Sequence, residues 1–178
     1  MADTKEFFRK YTKYISTFKK TSFDSDNKEY LCYDETQNVI DFDKIIEEKY
    51  PDSNIRPKSF DAIYIHNRYV FCVEFKNQKF SQINNKDIQK KLVDGKEELT
   101  DIFASLNIPV REYNFIYCVA YKKTLEPLDR YKCGVAKGSI QFGLEQYKTR
   151  GFVKDVFTNN VDFFTQQFIK QLNKELEC

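Results

Sequence analysis

Residues 60–78 read FDAIYIHNRYVFCVEFKNQ, and this stretch decides the fold. Positions 60–65 and 69–75 are rich in Ile, Val, Tyr and Phe, the side chains that fit a pleated, half-buried surface. His66-Asn67-Arg68 separates the two runs, and Asn tolerates the left-handed conformation of a tight turn. The stretch therefore reads as a β-hairpin. With Asn67-Arg68 as a two-residue loop, His66 pairs with Tyr69 and Asp61 comes to face Glu74. Side chains alternate along a strand, so Glu74, Lys76 and Gln78 share one face, and the pairing puts Asp61 on it. A turn longer by one residue would send Asp61 to the other face.

Cross-strand pairs bring Cβ atoms to roughly 4.5–5.5 Å, so two carboxylates so placed repel each other. A hard divalent cation resolves that repulsion. Mg²⁺ suits the pair because it keeps several waters and takes only one or two protein carboxylates. Such an ion lowers the pKa of a bound water and stabilises charge on a phosphate. Lys76 is then placed to orient or deprotonate that water, or to hold a phosphate oxygen. Gln78 is placed to support Lys76 or the phosphate.

Working outward, apolar residues at spacings of three and four predict a helix over 4–20, using Phe7, Phe8, Tyr11, Tyr14, Ile15 and Phe18. A short strand is expected over 29–33 and a short helix over 41–50, ended by Pro51. After the hairpin, Ile88, Leu92, Leu99, Ile102, Phe103 and Leu106 predict a long helix over 85–106, with Gly95 inside it. Residues 113–121, YNFIYCVAY, read as a strand buried on both faces. Residues 122–158 are irregular apart from a helix around 141–148, and an amphipathic helix over 161–176 closes the chain. Alternating helices and strands argue for an α/β sandwich around a mixed sheet.

Asp61, a gap of twelve residues, then Glu74-Phe75-Lys76, set in this order of elements, resembles the PD-(D/E)XK nuclease superfamily. The likeness covers about residues 4–121. It implies a restriction endonuclease-like fold, a three-layer α/β/α sandwich with a mixed central sheet and an αβββαβ core. It also implies cleavage of phosphodiester bonds, usually in DNA, with Mg²⁺ or Mn²⁺ on Asp61 and Glu74, and with Lys76 and Gln78 at the attacking water. Some members of the superfamily bind without cutting, so a non-catalytic nucleic-acid- or protein-binding module is the alternative. Many members carry a further acid on a helix. Glu6, Glu47 and Glu48 are available here, and the helix of Glu47 and Glu48 directly precedes the hairpin. In similar nucleases the helix after the hairpin supplies phosphate contacts, which points to Gln89, Lys90 and Lys91. Phe60 and not a proline precedes Asp61.

The remaining composition bounds the reading. The 178 residues, 41% hydrophobic and 16% aromatic, suggest a single domain with an ordinary core and a C-terminal extension over 122–178. A net charge of +2 neither requires nor excludes nucleic acid. Lys122, Lys123, Arg130, Lys132 and Lys137, interleaved with Tyr121 and Tyr131, suit a nucleic-acid backbone or an ordinary charged surface. His66 reads as a turn residue. The five cysteines form no CxxC pair, and reduced cysteines are expected. No apolar run suggests a signal peptide or a membrane span, so an intracellular protein, of cytoplasm or nucleus, is expected. The aromatic stripe Phe163, Phe164 and Phe168 serves as core or as the contact of a homodimer. No P-loop, dinucleotide-binding or nucleophile-elbow motif is present.

Overall fold

A computed structural model describes residues 2–123 and 139–169. Helix α1 (Ala2–Lys10) leads through a 3₁₀ turn into strand β1 (Ile15–Thr17), the short helix α2 (Phe18–Thr21) and the paired β2 (Phe23–Asp24) and β3 (Glu29–Tyr30). There follow β4 (Asn38–Asp41), α3 (Phe42–Lys49), β5 (Ala62–His66), β6 (Tyr69–Lys76), the long α4 (Asn85–Ser105), β7 (Asn114–Tyr121), a helical turn at Glu145–Thr149 and β8 (Asp155–Asn160). The final described turns, Val161–Phe163 and Phe164–Ile169, are α- and then π-helical. Among the described residues, six strands form one mixed sheet in the order β1-β4-β5-β6-β7-β8. The first four are antiparallel, whereas β7 and β8 run parallel to β6. The protein is thus mixed α/β.

The hairpin pairs Ala62 with Val73 and His66 with Tyr69. Asn67 takes φ 52, the left-handed value that closes a two-residue loop. Both faces of the sheet are covered. Phe42, Ile45, Leu92, Leu99 and Phe103 of α3 and α4 pack on one face, over Ile63, Cys72, Phe115 and Tyr117. Phe18, Val161 and Phe164 cover the other, over Val73, Phe75, Ile116 and Cys118. Strand β7 is buried on both faces, as its unbroken apolar run predicts. Gly95 is needed in α4. A Cβ there would lie 2.8 Å from the Phe60 ring, which stacks in turn on Phe42 at 4.7 Å.

Several expectations change. The first helix stops at Lys10, and Ile15–Thr17 pair with β4 as an edge strand. The same apolar spacing that reads as one helix is divided among α1, the 3₁₀ turn, β1 and α2, with β-branched residues favouring the strand. The expected strand over 29–33 shrinks to two residues in a separate ribbon. β4 and β8 go unpredicted because NVID and DVFTNN are short and carry polar ends. The expected final helix is described only to Ile169, where its backbone takes a π turn, and Arg130, Tyr131, Lys132 and Lys137 lie outside the described residues. No helix among the described residues is long and apolar enough to cross a membrane.

Candidate metal centre

Glu74 lies near the end of β6 on the α4 face, with its side chain fully buried. Such a carboxylate needs partners of opposite charge. Two lysines supply them. Lys91 Nζ of α4 lies 2.8 Å from Glu74 Oε1 and donates to Oε2 at 2.9 Å. Lys76 Nζ lies 3.0 Å from Oε1 and donates at 3.0 Å to Asp87 Oδ2, in the first turn of α4. Oε1 is sealed from solvent and has no well-directed hydrogen bond, although both ammonium groups stand within ion-pair distance.

Asp61 immediately precedes β5 and continues the hairpin register toward Glu74. Its Oδ2 accepts the Phe75 N–H at 2.5 Å, and its Oδ1 lies 3.6 Å from Lys91 Nζ. Burial and the neighbouring Glu74 charge push the Asp61 carboxyl well above the ordinary carboxylate range, against the pull of Lys91. Burial alone would lower the Lys91 ammonium, but Glu74, Asp61 and Asp43 outweigh it and hold its pKa high. Lys76 is also held above its ordinary value: Glu74 and Asp87 overcome burial and the repulsion of Lys91.

The third acid beside this pair is Asp43, which the sequence reading did not single out. The Asp41 carboxylate caps α3 by accepting the Lys44 N–H at 3.2 Å, and the Phe42 N–H donates to the Asp61 carbonyl at 3.0 Å. These bonds lock the first turn of α3 against the start of β5. Asp43 is held there by the Ser59 hydroxyl, and burial raises its carboxyl while Lys91 opposes the rise. Glu47 and Glu48, four and five residues further along, are about 6–7.5 Å farther up the helix axis. They face solvent instead. Glu47 pairs with Arg56 at 3.1 Å, and Glu48 with Lys13 at 2.5 Å and the Tyr14 hydroxyl at 2.6 Å. Glu6 pairs with Arg9 at 2.7 Å on the surface. The signal for Asp43 was the pairing of Asp41 with Ala62, which required β4 to be recognised as a strand.

Gln78 lies beyond β6, exposed, and lines a cleft of about 200 Å³ with Asp61, Lys76 and Asn77, faced by 21–24 across it. Glu74, fully buried, is not among the residues that line it. Of the three α4 residues considered for phosphate contact, only Lys91 reaches the cluster. Gln89 donates to the Phe142 carbonyl at 2.8 Å, and Lys90 pairs with Asp94 at 2.7 Å on the surface. His66 sits at the hairpin turn, at the other end of β5, with its ring parallel to Tyr64.

Among the described residues, no three histidines, cysteines or carboxylates converge as a ready-made metal cage. Two carboxylate donors on one face, one of them bearing the buried Oε1, fit a hard cation that retains water. An ammonium already lies between them, so the position suits positive charge. No protein-family model, no curated protein and no solved structure matches the chain.

Proposed function

We propose that this chain is a metal-dependent nuclease with a restriction endonuclease-like fold, hydrolysing phosphodiester bonds in DNA. The carrying observation is the placement of Asp61 and Glu74 at one end of an antiparallel pair, with Lys76 3.0 Å from Glu74. The sheet supports the reading, because α1, β4, β5, β6, α4 and β7 follow in an αβββαβ order, with β1, α2, β2 and β3 between α1 and β4 and with α3 after β4. Asp61 and Glu74 would hold Mg²⁺ or Mn²⁺, which would activate a water and stabilise charge on the scissile phosphate. Lys76 would orient the water or hold a phosphate oxygen, in keeping with the raised pKa of its ammonium beside Glu74 and Asp87 in the metal-free cluster. Gln78, on the same cleft, contacts the nucleic acid or positions Lys76.

The test is incubation with plasmid, linear, branched and single-stranded DNA, and with RNA, in Mg²⁺ or Mn²⁺. Cleavage that disappears in Glu74→Ala supports the proposal. No cleavage of any substrate, or equal cleavage by the variant, sinks it.

The Lys91 ion pair supports a second reading, a non-catalytic nucleic-acid- or protein-binding module in which lysines alone neutralise the acids. Calorimetry with Mn²⁺ separates the two, since absence of binding favours the module.

A further inference from the structure

Lys91 is the cation on which the buried acids converge. It touches both oxygens of Glu74 at 2.8 and 2.9 Å and lies 3.6 Å from Asp61, with 16% of its side chain exposed. A metal shared by Asp61 and Glu74 needs the same oxygens. Two ammonium groups already share Glu74 Oε1, and a divalent ion on the same oxygens adds a repulsion that the low dielectric of a buried site magnifies. The Lys91 stem is long and flexible, so the ammonium can withdraw without moving the helix.

Resting on the metal-site reading above, we propose that Lys91 is an internal counter-cation: it holds the metal-free cluster together, competes with the divalent ion for Asp61 and Glu74, and is expelled when the ion binds. The expelled ammonium stays tethered near the cleft of Asp61 and Lys76, where a phosphate would approach. Lys91 is then a positioning residue before metal binding and an anion contact after it. It differs from Lys76, whose ammonium is also anchored by Asp87.

The experiment uses the full chain and Mn²⁺ alone. Calorimetry compares wild type, Lys91→Met and the double variant Lys91→Met/Glu74→Gln. The expected result is Mn²⁺ binding at least about 10-fold tighter in Lys91→Met than in wild type, abolished in the double variant. The metal-free Lys91→Met protein should melt lower and gain more from Mn²⁺. Should Lys91→Met fail to fold without metal, the wild type still answers. Acetylation of Lys91, read by mass spectrometry, should rise several-fold on adding Mn²⁺. Equal or weaker Mn²⁺ binding by a folded Lys91→Met, or unchanged acetylation in Mn²⁺-bound wild type, overturns the inference and leaves the metal site standing. If neither wild type nor Lys91→Met binds Mn²⁺, the metal reading falls with it.

Discussion

The Asp61 carboxylate accepts a hydrogen bond from the Phe75 N–H at 2.5 Å, just beyond the last paired position of the hairpin. One oxygen thus replaces a rung of the ladder and fixes the backbone between Glu74 and Lys76. The other oxygen faces Lys91. Asp61→Asn is expected to keep the fold, because an amide oxygen still accepts the Phe75 N–H and the folded state already disfavours the ionised carboxyl. Mn²⁺ binding should fall by at least an order of magnitude. Urea denaturation and calorimetry on the same sample check both, and undiminished metal affinity would count against the proposed ligand.

Glu74→Ala should be more damaging. It leaves Lys76 and Lys91 facing each other in a buried site without the acid that neutralised them. Breaking a buried pair by removing one partner costs about 3–5 kcal/mol. Glu74→Gln keeps the volume and should be milder in chemical denaturation. Both should lack cleavage.

The pH dependence of the metal-free protein follows from Asp61 and Asp43. Both carboxyls are raised above their ordinary 3.8 by burial, so the folded state holds their protons more tightly than the unfolded chain. Their contribution to stability therefore falls as pH rises from about 4 through their elevated folded values, then levels. Asp87 is shifted the opposite way, because Lys76 and Lys58 outweigh its burial, and its contribution is lost only below its ordinary value. Asp61→Asn should flatten the fall above pH 4, and Mn²⁺ affinity of the wild type should climb over the same window. Melting curves across pH decide the first and calorimetry the second.

Much of the site is written in the hairpin itself. Asn67 permits a two-residue loop, the loop sets the register, and the register puts Asp61 beside Glu74. The third acid is not legible in the same way. Asp43 depends on a pairing between Asp41 and Ala62, residues twenty-one apart, through a strand too short and polar to show a period. Lys91 shows the same limit. Periodicity places Leu92 inward, but not which of three neighbouring polar residues reaches beneath the helix. For the acids of α3, the separation is testable: Asp43→Asn should alter Mn²⁺ affinity, whereas Glu47→Ala and Glu48→Ala should leave it within about twofold.

Gly95 offers a test of the frame above the site. Gly95→Ala gains helix propensity but drives a methyl to within 2.8 Å of the Phe60 ring. Overpacking of this kind costs about 1–3 kcal/mol, more than the propensity gain. A lower midpoint in urea, partly restored by Phe60→Leu, is expected. An unchanged or higher midpoint would show that the ring has room to yield.

The Asp61–Glu74–Lys91 cluster has a last consequence, for descent. A covered ion network commonly stabilises a fold less than well-packed hydrocarbon of similar volume. Selection for folding alone would let such positions drift toward Leu, Met or Ile. Such a change has to take the charges together, because losing one alone strands the others, and a copy that made it should melt at higher temperature. Keeping all three charges is what the metal site proposed above would require, whereas the fold alone does not.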